Sequence, residues 1–147
     1  MGKYDELTKY IPLLKDDSFG KWHVDPALIS FFKGNKGKQE RPFEVPFVDY
    51  SDNVNNFIDD FNEFCEAHPE YEHTRYRYTL KDYGLEWNEE SFMAVDVSKK
   101  DAKCVIALIQ GIIRAERFCD GAMLPFFREG YVLRWLERLK EMDESDL

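Results

Sequence analysis

Hydrophobic positions recur along this chain at two periods, and the helical one dominates. The segment 98–121, SKKDAKCVIALIQGIIRAERFCDG, holds the longest aliphatic run, and its spacing predicts a helix over 98–120 opened by a Ser98 cap. At about 100° per residue, Val105, Leu108, Ile109, Ile112, Ile113 and Cys119 share one broad face. Glu116 falls near the middle of that face and Asp120 lies within it one turn later. Arg114 projects from the polar side, and Arg117 sits at the edge of the apolar face.

The most regular pattern lies at 51–67. Val54, Phe57, Ile58, Phe61, Phe64 and Cys65 form a stripe at helical spacing, Ser51 or Asp52 can cap, and His68-Pro69 ends the run. Asp59, Asp60, Glu63 and Glu66 lie off the stripe. A third amphipathic helix is predicted over 131–142, with Tyr131, Val132, Trp135, Leu136, Leu139 and Met142 on one side. Residues 143–147 then form a frayed acidic tail. Shorter helices are expected over 3–15, where Pro12 forces a kink or a fresh start, and at 26–33 and 122–128. The glycines and charges of 33–41 mark a mobile loop.

Two stretches alternate instead. Phe43, Val45 and Phe47 alternate with Glu44, Pro46 and Val48, and Arg75-Tyr76-Arg77-Tyr78-Thr79 does the same. These segments, 43–48 and 74–79, predict a small two-stranded β element. Leu80 to Leu85 reads as one helical turn broken by Gly84, with Trp87 and Phe92 packing on the core. The fold class is therefore mainly α, with α+β as the variant: five to six helices surround a central helix 98–120. Helices 51–67 and 131–142 are expected on its opposite flanks. The 147 residues make one domain, 1–147.

Composition narrows the function classes. Apolar residues at 44% and aromatics at 16% support a packed core rich in rings. A formal charge of −9 opposes direct nucleic-acid binding, which needs clustered Lys and Arg. No apolar run reaches the ~20 residues that span a bilayer, and no signal-peptide pattern opens the chain, so a cytoplasmic location is expected without membrane association. Cys65, Cys104 and Cys119 are widely spaced and form no CxxC pair; they read as free thiols.

Candidate chemistry gathers at the end of the central helix. Glu116 and Asp120 stand at i, i+4 and can point into one volume. A carboxylate facing the core needs a partner, and Arg134, Arg138, Arg75, Arg77 or a Tyr or Trp donor could supply one. The candidate pocket or buried polar network is Arg114, Glu116, Arg117, Asp120, Arg134 and Arg138. It either is structural, with Asp120-Gly121 turning the chain, or lines a ligand pocket. No catalytic set, metal set or cofactor motif is assigned: His23, His68 and His73 lack ligand spacing, and P-loop, GxSxG and GxGxxG patterns are absent. Cys119, on the apolar face, is expected to be a packed thiol.

The segment 113–121, IRAERFCDG, followed by a Gly-separated amphipathic terminal helix, resembles a family of uncharacterised small bacterial proteins, a domain of unknown function. The likeness is strongest over 99–140 and looser at 46–61. It implies a bacterial or phage source and makes the RAERFCDG cluster the family's signature, but implies no activity. Three readings follow. The first is a binding or interaction protein, with a protein partner or homodimer. The second is a ligand-binding or small-molecule-processing protein with a pocket at Glu116, Arg117 and Asp120. The third is an acidic inhibitor of a nucleic-acid-binding protein, which requires an unbroken acidic stripe at 59–66.

Overall fold

The computed structural model describes residues 2–15, 17–23, 47–119 and 121–145. The expected helix 26–33, the loop 33–41, the start of the strand at 43–46, Asp120 and the last two residues lie outside the described residues. Within them the chain is mainly α with a small antiparallel pair of strands.

Pro12 acts as its chemistry requires. The first helical stretch divides into α1 (Asp5–Thr8) and α2 (Ile11–Lys15), with Pro12 in the first turn of α2, where its missing N–H costs no hydrogen bond. Strands β1 (Gly20–His23) and β2 (Phe47–Tyr50) pair with Gly20 opposite Tyr50 and His23 opposite Phe47. Helix α3 (Asp52–Ala67) follows directly, capped by Ser51, whose hydroxyl accepts from the Val54 N–H. Its stripe of Phe57, Phe61 and Phe64 is buried against α1 and α2, with Tyr10 edge-on to Phe57 at 5.5 Å.

The segment 74–79 is not a strand. Two single 3₁₀ turns, Pro69–Tyr71 and His73–Arg75, are joined through Glu72 in the left-handed region, and α4 (Tyr76–Asp82) begins at once. The five-residue alternation was too short a window. Tyr76, Thr79 and Leu80, at i, i+3 and i+4, are the buried positions, and they set the period. The partner of 47–50 is therefore 20–23.

Helix α5 (Glu89–Ala94) is capped by Asn88, and a 3₁₀ turn, Val97–Lys99, leads to the central helix α6 (Ala102–Phe118). Its cap is Asp101, three residues later than Ser98: the Asp101 carboxylate accepts from the Cys104 N–H at 3.1 Å and from the Tyr83 hydroxyl. Every residue of α6 from Cys104 to Ile113 is buried. The single apolar face seen in the sequence was thus too narrow, because other elements surround this helix. Its closest neighbours are α4 and α8, whereas α3 lies mainly on the N-terminal helices, so α3 and α8 do not form the expected opposite flanks.

A short helix, α7 (Leu124–Arg128), and, after Gly130 at φ +84°, the last helix, α8 (Tyr131–Ser145), follow. Val132, Trp135, Leu136 and Leu139 bury the apolar side of α8. The helix runs beyond 142 into the segment expected to fray. Asp143 explains this: its carboxylate accepts the backbone N–H groups of Lys3 and Tyr4 at 2.9 and 3.0 Å, tying the last helix to the first. Among the described residues no helix is long and apolar enough to cross a membrane.

Candidate functional site

Glu116 sits in the last turn of α6, where the chain must reverse toward α7. Its Oε1 accepts the Tyr50 hydroxyl at 2.7 Å and the Met123 N–H at 2.9 Å, and its Oε2 accepts the Gly121 N–H at 2.8 Å. Gly121 takes φ +89°, a left-handed conformation that favours glycine. The carboxylate therefore gathers two backbone donors of the reversal and ties them to β2. A tyrosine hydroxyl, one of the partner types expected from sequence, fills the place opposite Glu116.

The other residues of the predicted set go elsewhere. Arg138 donates from Nε to the Lys100 carbonyl at 3.0 Å, and Arg134 and Arg138 approach Glu141 at 3.9 and 3.7 Å. Arg138 thus stands near the start of α6, whereas Glu116 is in its last turn, about 20 Å away along the helix. Arg117 is exposed. Arg114 is half-buried, not solvated as its place on the wheel suggested, and its Nε is buried with no hydrogen-bond partner among the described residues. Cys119 is exposed, contrary to the packed thiol expected, because the chain leaves helical geometry there, with φ −148° and ψ 105°. Extrapolating the wheel past Phe118 misplaced it.

What the end of α6 does line is a cleft of about 510 Å³ between α4, α5 and the 118–126 turn. Its floor is Phe92, Ile112 and Phe126; Trp87 and Phe118 form an aromatic wall, edge to face at 6.0 Å. Gly111 makes this packing possible. A Cβ there would stand 2.6 Å from Phe92 Cζ, and the Gly111 carbonyl accepts the Trp87 indole N–H at 2.9 Å. Phe118 is 80% exposed, an unusual position for a ring bordering an apolar hollow.

Polar groups stand only at the rim. The Arg77 guanidinium lies over the Trp87 ring at 4.9 Å. Asn88 is engaged as the α5 cap, accepting from Ser91 and donating to Glu86. Glu89 lies in the first turn of α5, and the Cys119 thiol completes the edge. Cys65 and Cys104 are buried, and burial raises their thiols to about 12 and about 11 respectively. Among the described residues no group of three His, Cys, Asp or Glu side chains is placed to hold a metal ion.

The sequence placed Trp87 only as a packing residue and did not connect it to the end of α6. The available signal was Gly111, a glycine inside the most aliphatic helix, where it lowers helix stability unless something packs closely on it.

The fold and this cleft define a mainly α protein with a preformed apolar hollow. The chain belongs to the family of unknown function DUF6508, whose sequence profile matches residues 3–145. No curated protein and no solved structure matches it.

Proposed function

We propose that this protein is a binding protein whose cleft beside Trp87 and Phe118 receives a ring-bearing small molecule. One observation carries the reading: an open hollow of about 510 Å³ with an apolar floor and an aromatic wall, among described residues whose other large apolar side chains are mostly buried. That volume falls within the range of small-molecule sites, roughly 300–1,000 Å³, and the few rim polar groups suit orientation of a ligand. The site thus lies beside the RAERFCDG segment, with Phe118 and Cys119 contributing and Glu116 holding the turn from outside. A bacterial cytoplasmic setting accords with the three free cysteines.

The acidic-inhibitor reading is weaker. Asp60 accepts the Tyr10 hydroxyl and pairs with Lys9 at 3.1 Å, so a lysine interrupts the acidic stripe at 59–66.

The test is a thermal-shift screen of ring-bearing fragments against wild type and Ala115→Phe, which fills the cleft from the α6 side. A ligand at a hundredfold its Kd stabilises by about 2.7 kcal/mol. Hits that lose their effect in Ala115→Phe support the reading. If no ring compound stabilises the wild type, or the variant responds equally, the reading is wrong.

A further inference from the structure

The two charged side chains that line the cleft, Arg77 and Glu89, are held differently, and the difference bears on the ligand. Arg77 forms no ion pair with another described residue, and neither do Arg114 and Arg117. All three belong to the two helices that meet at the cleft. On α6, Arg114, Arg117 and Phe118 stand at i, i+3 and i+4 and share one side. On α4, Arg77 reaches the wall at Trp87. Their field extends between the helices: Tyr76, which lies 5.7 Å from Trp87, has its hydroxyl pKa raised by burial, and Arg77 and Arg114 oppose that rise.

One acid, Glu89, also lines the cleft. It is exposed, in the first turn of a helix, where the backbone dipole already favours its charge, and among the described residues no ring or hydrogen bond fixes it. Arg77 is different. A cation–π contact with Trp87 at 4.9 Å holds the guanidinium at the wall, next to the surface on which a ring would rest. The fixed charge at the mouth is positive.

We infer that the cleft selects anionic aromatic molecules: the ring packs against Trp87 and Phe118, and the acid group accepts hydrogen bonds from Arg77. This inference rests on the cleft being a ligand site and adds the chemical class of the ligand.

The experiment uses three probes of one shape and different charge: 2-naphthoate, 2-naphthalenemethanol and 2-naphthylmethylammonium. Their affinities are measured by calorimetry on the full chain at low salt. The anion is expected to bind about tenfold or more tighter than the alcohol, the low end for a hydrogen bond to a charged group. The amine should be weakest. Arg77→Gln, at an exposed position, should keep the far-UV circular dichroism of the wild type and bind anion and alcohol equally. Half-molar salt should narrow the anion's advantage. Equal binding of the three probes, a preference for the amine, or an anion preference that survives Arg77→Gln would each overturn the inference while leaving the cleft a ligand site. Failure of all three probes to bind would refute both.

Discussion

The role of Glu116 can be tested through stability. Glu116→Gln keeps the size of the side chain but replaces one acceptor oxygen with an amide. With the amide oxygen at the Oε1 position, Tyr50 and Met123 keep their acceptor, and the NH₂ then faces the Gly121 N–H, donor against donor. With the amide reversed, the NH₂ faces the Met123 N–H instead, and the Tyr50 hydroxyl must turn to accept from it. Gly121 and Met123 are buried, so a displaced N–H does not readily find water. Leaving one such donor unsatisfied costs about 1–3 kcal/mol. Glu116→Ala removes all three acceptor contacts and is expected to cost about 2–4 kcal/mol, less than the sum because the half-buried turn can relax toward solvent. For a chain of this size each kcal/mol lowers Tm by about 3 °C. Urea unfolding followed by circular dichroism gives the values, and a double-mutant cycle with Tyr50→Phe should show coupling above about 0.5 kcal/mol. If Glu116→Gln unfolds within about 0.5 kcal/mol of wild type, the carboxylate does not hold the turn.

Three further outcomes are expected. Gly111→Ala gains about 1 kcal/mol of helix propensity but drives a Cβ into Phe92, an overpacking cost of about 1–3 kcal/mol, so chemical denaturation should show a net loss of up to about 2 kcal/mol; a stabilised variant would contradict the packing described. Native protein treated with iodoacetamide at pH 8 should be alkylated at Cys119 alone, as read by peptide mass spectrometry, because Cys65 and Cys104 are buried with raised thiol pKa values. Asp60 is held below the ordinary carboxylate range, first by the Tyr10 hydroxyl and then by Lys9. Its contribution is present above the unfolded pKa and lost as pH falls through the lower folded value, so Asp60→Asn should flatten the acid limb of the stability curve below about pH 4; an unchanged limb would show that the contact contributes nothing.

Much of the fold was legible because its longest elements are strongly periodic. The Phe57, Phe61 and Phe64 stripe and the Trp135, Leu136 and Leu139 stripe each have one apolar side, and both formed as read. The central helix was found, but not its burial on every side, since a wheel records one helix and not how many neighbours enclose it. The segment 74–79 failed for a different reason: five alternating residues cannot outweigh the helical spacing that Leu80 adds to Tyr76 and Thr79. For the site, the wheel identified Glu116 as a carboxylate needing partners, and it has three. It could not show that two of the partners are backbone N–H groups created by the turn itself. The cleft was invisible because Arg77, Trp87, Phe92 and Phe118 come from separate elements, and nothing in their spacing brings them together.

The central claim is that the hollow beside Trp87 receives a ring. The most direct test is a ¹⁵N–¹H correlation spectrum of the full chain during titration with 2-naphthoate, with the Trp87 indole resonance assigned through Trp87→Phe. That N–H is bonded to the Gly111 carbonyl at the cleft wall, whereas Trp135 is buried behind the floor, against Phe92 and Phe126. A saturable shift of the Trp87 resonance, larger than any shift at Trp135, is the predicted result. A Trp87 resonance that stays in place at saturating naphthoate would contradict the account.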